Sequence, residues 1–300
     1  MTQHTAEFTL TEAQKSTKAE VDSYNIVFMV AIHGAAIASL FLFSWENLFA
    51  AFALYVLSGT GITIGYHRLL THRSFKSPRW VEYIWATLGT LAMQGSPVIW
   101  VAQHRQHHLE SDDELDPHNI NLGFMWAHMW WILKRYPSWY ETGVKNTFAP
   151  DLLKVGYYRW LDRYPHVPSL IVGVALLAVG GINMFLWGFC LRIVCMYHST
   201  WFVNSAAHKW GYRYFKDEVA TNNWWVALLS FGEGWHNNHH AFPTSARHGL
   251  RFWELDFSWI TIWTMSKIGL AQKIKTPAKA SLPWTKGKRD ADTNTTEQSV

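Results

Sequence analysis

The chain has 300 residues, 49% of them hydrophobic and 16% aromatic, with 19 Trp, two Cys and a formal charge of +4. Two cysteines exclude a disulfide scaffold and an all-thiolate metal site, and without a basic stripe or a nucleic-acid motif, nucleic acid is excluded as a partner. Tryptophan at this abundance points instead to a membrane interface.

Residues 1–24 are polar, carry both signs of charge and lack the short apolar core of a secretory signal. Residues 25–45 are uncharged and nearly all apolar, and residues 48–66 repeat the pattern after Glu46 and Asn47. Residues 167–181 and 182–203 form a second such pair, joined at Gly180-Gly181-Ile182-Asn183. About 20 apolar residues cross a hydrocarbon core, so each pair reads as a helical hairpin. Residues 80–101 are apolar apart from Glu82 and Gln94, but a crossing there would separate His67 from His104. They read as one helix lying in the interface or packed on the bundle.

Lysine and arginine are absent from Val21 through His67 and from Tyr164 through Leu191. The positive-inside rule then places both termini and both long basic segments in the cytoplasm. Arg192, inside the fourth span, is expected to face protein or a wet cavity, and Cys190 and Cys195 to be small interior hydrophobes. From residue 272 the composition turns polar, so 272–300 reads as a disordered tail. The expected fold is an all-α integral membrane protein. Four transmembrane helices form two hairpins within a domain spanning 25–271, beneath a cytoplasmic helical cap.

Histidine is the conspicuous polar residue. His104, His107 and His108 stand at i, i+3, i+4, and His236, His239 and His240 repeat that spacing, which shares one helix face. Asn204 and His208, at i and i+4, also share a face. His67 and His72 are five apart, about 140° around an α-helix. The chain must bend between them, or they serve different metals. Eight clustered histidines exceed the needs of one ion, so a two-metal site is expected. Imidazole without thiolate suits redox iron. Glu110, Asp112, Asp113, Asp116 and Glu233 lie close by and are best used to accept the remaining imidazole N–H groups. His33, His128, His166 and His198 stand alone and read as hydrogen-bonded core residues, His4 as solvated, and His248 as either a supporting or a surface residue.

The motifs Gly61-Ile-Thr-Ile-Gly-Tyr-His-Arg-Leu-Leu-Thr-His72, His104-Arg-Gln-His-His108 with Asp116-Pro-His-Asn119, Trp201-Phe-Val-Asn-Ser-Ala-Ala-His208 and Gly232-Glu-Gly-Trp-His-Asn-Asn-His-His240 resemble those of the membrane fatty acid desaturases. The resemblance runs from about residue 26 to 263 and is closest to bacterial and cyanobacterial delta-9 (stearoyl-type) acyl desaturases. It implies a di-iron centre ligated by His67, His72, His104, His107, His108, His208, His236, His239 and His240, with Asn204 acting through water. It also implies O2-dependent insertion of a cis double bond into a C16–C18 acyl chain carried by CoA or a membrane lipid. The implied electron donor is external, a ferredoxin or a cytochrome b5-type protein, and the implied location is a bacterial inner membrane with the metal site cytoplasmic.

Gly59 and Tyr55, 8 and 12 residues before His67, would sit about 12 and 18 Å from it along a helix; the resemblance implies that these positions face the closed end of an acyl tunnel, and packing between spans is the other reading. Arg105, Arg159 and Arg163 are candidates for a headgroup phosphate. Two other readings stand beside desaturation: hydroxylation by a sister di-iron enzyme, and metal transport. Transport would place ionisable residues within the spans.

Overall fold

The computed structural model describes residues 20–111, 116–136 and 138–285. Asp112, Asp113, His4 and the tail beyond Thr285 lie outside the described residues. The chain is predominantly helical. Its strands β1 (Glu20–Val21) and β2 (Lys134–Arg135) form one short antiparallel pair, with Glu20 opposite Arg135.

Helix α1 (Ser23–Ser39) starts where the Asp22 carboxylate accepts the Asn25 N–H at 3.1 Å. Helix α2 (Trp45–Thr60) starts where the Ser44 hydroxyl does the same for Asn47; such caps satisfy orphan donors of a first turn. Without a break α2 becomes a π-helix over Gly61–Thr71. Residues Trp45–Thr71 form one rod of 27 residues, long and apolar enough to cross a membrane. The second such rod, Val167–Lys209, has 43 residues, twice what one crossing needs. It comprises α7 (Val167–Phe185), a π-helical turn (Leu186–Leu191) and α8 (Arg192–Lys209).

Gly181 breaks this rod. Its φ of 65° and ψ of −161° are non-helical, a conformation open to glycine alone at low cost. The chain doubles back there. A Cβ on Gly173 would lie 3.2 Å from Phe189, and one on Gly188 would lie 2.9 Å from Leu176, so residues on either side of Gly181 pack face to face. The two hairpin tips also meet, since the Trp187 indole donates to the Ser39 carbonyl at 2.8 Å and Phe43 lies edge-on to Trp187. The outward faces are apolar: Val30, Phe49, Ile171 and Val179 are 65% or more exposed, a surface that water disfavours and lipid accepts.

Two expectations change here. The apolar stretch 80–101 is two helices, α3 (Arg79–Thr90) and α4 (Pro97–Leu109), because the chain turns at Met93 and Gly95, both at positive φ, and Ser96 with Pro97 begins a new helix. The chain beyond Ala271 packs back on the fold. Gln272 pairs with Lys76, Lys275 donates to Ser74 and accepts from Ala246, and Arg251 lies 3.8 Å over the Trp284 ring. Main-chain hydrogen bonds and one cation–π contact order a segment whose composition reads as disordered. Arg192 faces protein as expected, donating to the carbonyls of Leu91 and Gly188. Cys190 is buried, but Cys195 sits on an outer face, where an apolar surface tolerates it.

The cap is completed by α5 (Ser138–Phe148), α6 (Gly156–Arg163), α9 (Trp224–Leu229), α10 (His236–Ala241) and α11 (Phe257–Lys267). Its core includes the fully buried Ile64, Val98, Leu161 and Ile262, which fix α3, α4 and α11 around the π-helical end of α2.

Candidate metal centre

The π-helix resolves the spacing of His67 and His72. In a π-helix the main chain bonds i to i+5, and the His72 N–H donates to the His67 carbonyl at 3.1 Å. Residues five apart are therefore stacked, not splayed, and the two rings lie 4.7 Å apart. Helix α4 directs His104, His107 and His108 inward, α10 brings His236, His239 and His240, and the last turn of α8 brings His208.

The nine histidines fall into two sets. His67, His72, His104, His108 and His239 form one, and His107, His208, His236 and His240 form the other; within each, the candidate ligand atoms all lie within 4.8 Å of one another. His239 Nε2 is 3.2 Å from His67 Nε2 and 2.9 Å from His108 Nε2. The Nε2 atoms of His104 and His108, and those of His236 and His240, are 3.1 Å apart. Metal–nitrogen bonds of about 2.1 Å meeting at right angles put neighbouring nitrogens about 3.0 Å apart, so the spacing matches shared coordination.

Carboxylates set the tautomers. Glu233 Oε2 is 2.7 Å from His67 Nδ1, and Asp116 Oδ2 is 2.8 Å from His107 Nδ1. His107 Nδ1 hydrogen-bonds the Asp116 carboxylate, His67 Nδ1 lies at ion-pair distance from Glu233, and each ring turns its Nε2 inward, the arrangement that supports a metal-bound imidazole. The Nε2 of His107 and that of His72 are buried with no hydrogen-bond partner, which leaves their lone pairs for an ion. Burial, then the neighbouring imidazoles, hold His72, His104, His108, His236, His239 and His240 well below the ordinary histidine value. They stay neutral, as ligands must be. On these grounds the residues fit a pair of metal ions.

Behind the first set lies a buried charge network that spacing did not reveal. Arg68, fully buried, donates through Nε and Nη2 to Glu233 Oε1 at 3.2 and 2.9 Å, and through Nη1 to Asp256 and the Ala246 carbonyl. Burial alone would raise the Glu233 carboxyl, but Arg68, His67 and His248 outweigh it and hold the group well below its usual range. His248 lies 3.2 Å from Glu233 Oε2, and its ring, tilted by 36°, lies 4.5 Å from that of His239, which makes it a supporting residue of the centre. Arg68 carried one signal, a charge adjoining His67 at the end of an apolar run. His248 stood open between a supporting and a surface role, which its contact with Glu233 decides, and Asp256 carried no signal, because a loop brings it in.

Asn204 lines an apolar cavity together with His67, His104, His107 and His236. Gly59 and Phe231 line it too, and the Tyr55 ring lies 5.5 Å from Phe231 while its hydroxyl donates to the Leu229 carbonyl. Arg105 lies elsewhere, on Asp151 and the carbonyls of Leu70, Thr71 and Phe148. Arg159 donates to the Leu153 carbonyl and Arg163 lies over Tyr164, both on the exposed side of α6. Glu110 ends α4 and reaches no ligand in the described contacts. His33, His198 and His128 form a hydrogen-bonded row ending at Ser205, with N–N distances of 3.2 and 3.0 Å. His166 is exposed at the start of α7 rather than part of a core.

Comparison with known proteins adds relatives along most of the chain. Residues 43–260 match the family model described as Fatty acid desaturase. An sn-1 stearoyl-lipid 9-desaturase of Anabaena variabilis is 46% identical over 264 residues, which is 87% of this chain and 96% of the relative. An sn-2 palmitoyl-lipid 9-desaturase of Nostoc sp. (strain 36) is 42% identical over 90% of this chain and 96% of its own length. A second sn-1 stearoyl-lipid 9-desaturase, from Synechocystis sp., is 43% identical over 86% of this chain and 81% of its own length.

Proposed function

The chain belongs to the fatty acid desaturase family, and from that premise we propose that it is a delta-9 acyl-lipid desaturase, placing one cis double bond in a saturated C16–C18 chain carried by a membrane lipid. The observation that carries this reading is two convergent histidine sets opening on an apolar cavity, in a chain whose relatives act on stearoyl and palmitoyl lipids.

Two iron ions bound there would supply the oxidation, taking up O2, two electrons and two protons and releasing two waters as two hydrogens leave the acyl chain. His67, His72, His104, His108 and His239 are assigned to one iron, His107, His208, His236 and His240 to the other, and Asn204 acts through water. Glu233 and Asp116 hold the Nδ1 protons of His67 and His107 and so keep each Nε2 free to bind. Ile62, Met196, Val203 and Phe231 offer the acyl methylenes an apolar wall. An unactivated C–H bond gives the protein no polar handle, so the site of attack follows from where the chain is held. Gly59 lets Phe231 and Met196 close on the cavity wall, so a larger residue there would push Phe231 toward the chain, and Tyr55 stands behind Phe231 toward the closed end. Arg159 and Arg163, exposed on α6 just before α7, are the residues proposed to meet lipid phosphate, whereas Arg105 already serves Asp151.

The topology that supports this chemistry has four crossings, α1, α2, α7 and α8, with both hairpin tips on the outer side. Both termini, the cap and the histidines are cytoplasmic, in a bacterial inner membrane. Electrons come from an external ferredoxin or cytochrome b5-type protein.

The test is expression in a host lacking its own delta-9 desaturase, with double bonds located by mass spectrometry. A new 16:1 or 18:1 delta-9 species, absent with His107→Ala, supports the reading. A hydroxylated product would move the protein to the sister reaction, and no product with ferredoxin or cytochrome b5 and its reductase supplied would refute both.

A further inference from the structure

Basic residues of the cap differ in their partners according to where they lie. Arg73, Arg79, Arg105 and Lys145 are ion-paired with Asp151, Glu82, Asp151 and Asp162, and Arg68 is paired inside. Segments 209–219, 242–251 and 273–285 together carry eight Lys or Arg against two acidic residues, while the whole chain carries only +4. Lys209, Arg213, Lys216, Lys273 and Lys275 are exposed. Among the described residues none of these five meets a carboxylate at ion-pair distance.

These segments are stitched into one face. Ala246 donates to the Lys275 carbonyl, Asn237 accepts the Tyr214 and Phe215 N–H groups, Phe215 packs on Phe242, and Arg251 lies between Tyr214 and Trp284. The face meets the second histidine set at Glu218. His240 Nδ1 is 4.0 Å from Glu218, whose side chain is 35% exposed, so a single side chain separates solvent from a candidate ligand. Unpaired charges of one sign over a low-dielectric site raise the encounter rate with a partner of opposite sign.

We propose that this face is the docking surface for an acidic one-electron carrier protein, which delivers electrons to the centre through the His240 edge. The inference rests on the desaturase reading, which needs two electrons per O2 and therefore two successive encounters with such a carrier. An anionic lipid surface is the competing occupant. The observations favour the carrier because exposed Lys216 stands two residues from Glu218, the side chain that lies between His240 and solvent.

The test compares wild type with Lys216→Glu/Lys275→Glu and with Lys216→Arg/Lys275→Arg in detergent. It uses reduced plant-type ferredoxin as the acidic carrier, and binding and turnover are read separately. The charge reversal should weaken ferredoxin binding and raise its KM about tenfold. The KM for acyl substrate should not move, nor should product formation driven by dithionite with methyl viologen, and the arginine pair should behave as wild type. Wild-type binding should weaken as salt rises. Binding and KM unchanged by the reversal would overturn the proposal. So would loss of binding to phosphatidylglycerol vesicles with donor kinetics intact, which would assign the face to lipid. If ferredoxin binding responds to the charges but wild type yields no unsaturated product even with dithionite, the desaturase reading falls and the docking surface stands.

Discussion

Glu233→Gln tests whether the two histidine sets are two separate metal sites. The substitution keeps shape and volume but replaces one acceptor oxygen with an N–H donor. In the native site Oε1 takes the Arg68 guanidinium at 2.9 and 3.2 Å, and Oε2 takes His67 Nδ1 at 2.7 Å. A glutamine has one oxygen for these two donors. Turned to Arg68, it presents its amide to His67 Nδ1, which must then lose its proton to Nε2, the nitrogen that faces the site. Turned to His67, it leaves the fully buried Arg68 with Asp256 as its remaining carboxylate. Removing one partner of a buried ion pair costs about 3–5 kcal/mol, and losing the carboxylate behind a ligating histidine lowers metal affinity about 10–100-fold. Asp116 supports the other set through His107 and is untouched. Metal content after dialysis against graded chelator should therefore fall from two ions per chain toward one. Asp116→Asn should do the same to the other ion, and the double variant should lose both. Both ions retained at wild-type chelator tolerance, or both lost together in each single variant, would refute the assignment.

Three further outcomes are expected. Gly59→Phe should shift products toward shorter acyl chains, because even a Cβ there would lie 2.2 Å from the Phe231 ring; unchanged product lengths by mass spectrometry would count against the tunnel. Gly232→Ala should destabilise the cap by about 2–5 kcal/mol, read from denaturant unfolding. Its φ of 115° disfavours a side chain, and the new Cβ would lie 2.4 Å from Asp256. The metal-free protein should lose stability in acid. Burial and neighbouring imidazoles lower six histidines in the fold. Below the unfolded value of about 6.5 the unfolded chain therefore takes up protons that the fold refuses. Stability is full above that pH and falls below it by at most about 1.4 kcal/mol per unit for each histidine; a flat profile from pH 8 to 5 in chemical denaturation would contradict this.

Much of the site was legible because it is written in local spacing. The two triplets at i, i+3, i+4 need only a helix to converge, and α4 and α10 supply it. Hairpin positions followed from apolar length and from Gly180 and Gly181, and the pairing of Asp116 with His107 from closeness in sequence, whereas Glu233, three residues before His236, supports the distant His67 instead. The break at Met93 and Gly95 was missed because hydropathy is blind to backbone conformation. The ordering of Gln272 to Thr285 was missed because composition does not register a main-chain bridge to Lys76.

The sequence alone determined that this chain gathers neutral imidazoles beside long apolar helices, since periodicity and hydrophobic length are properties of neighbours along the chain. It left His67 and His72 irreconcilable on an α-helix. Only the tertiary structure chose a π-helix, which is disfavoured in isolation and holds here because its eleven residues are all buried against α3, α4 and α11. The same packing closed Arg68, Glu233, His248 and Asp256 into one network from three separate segments. A buried charge is tolerable only where partners are already in place, and partners that far apart in sequence meet only once the fold has formed.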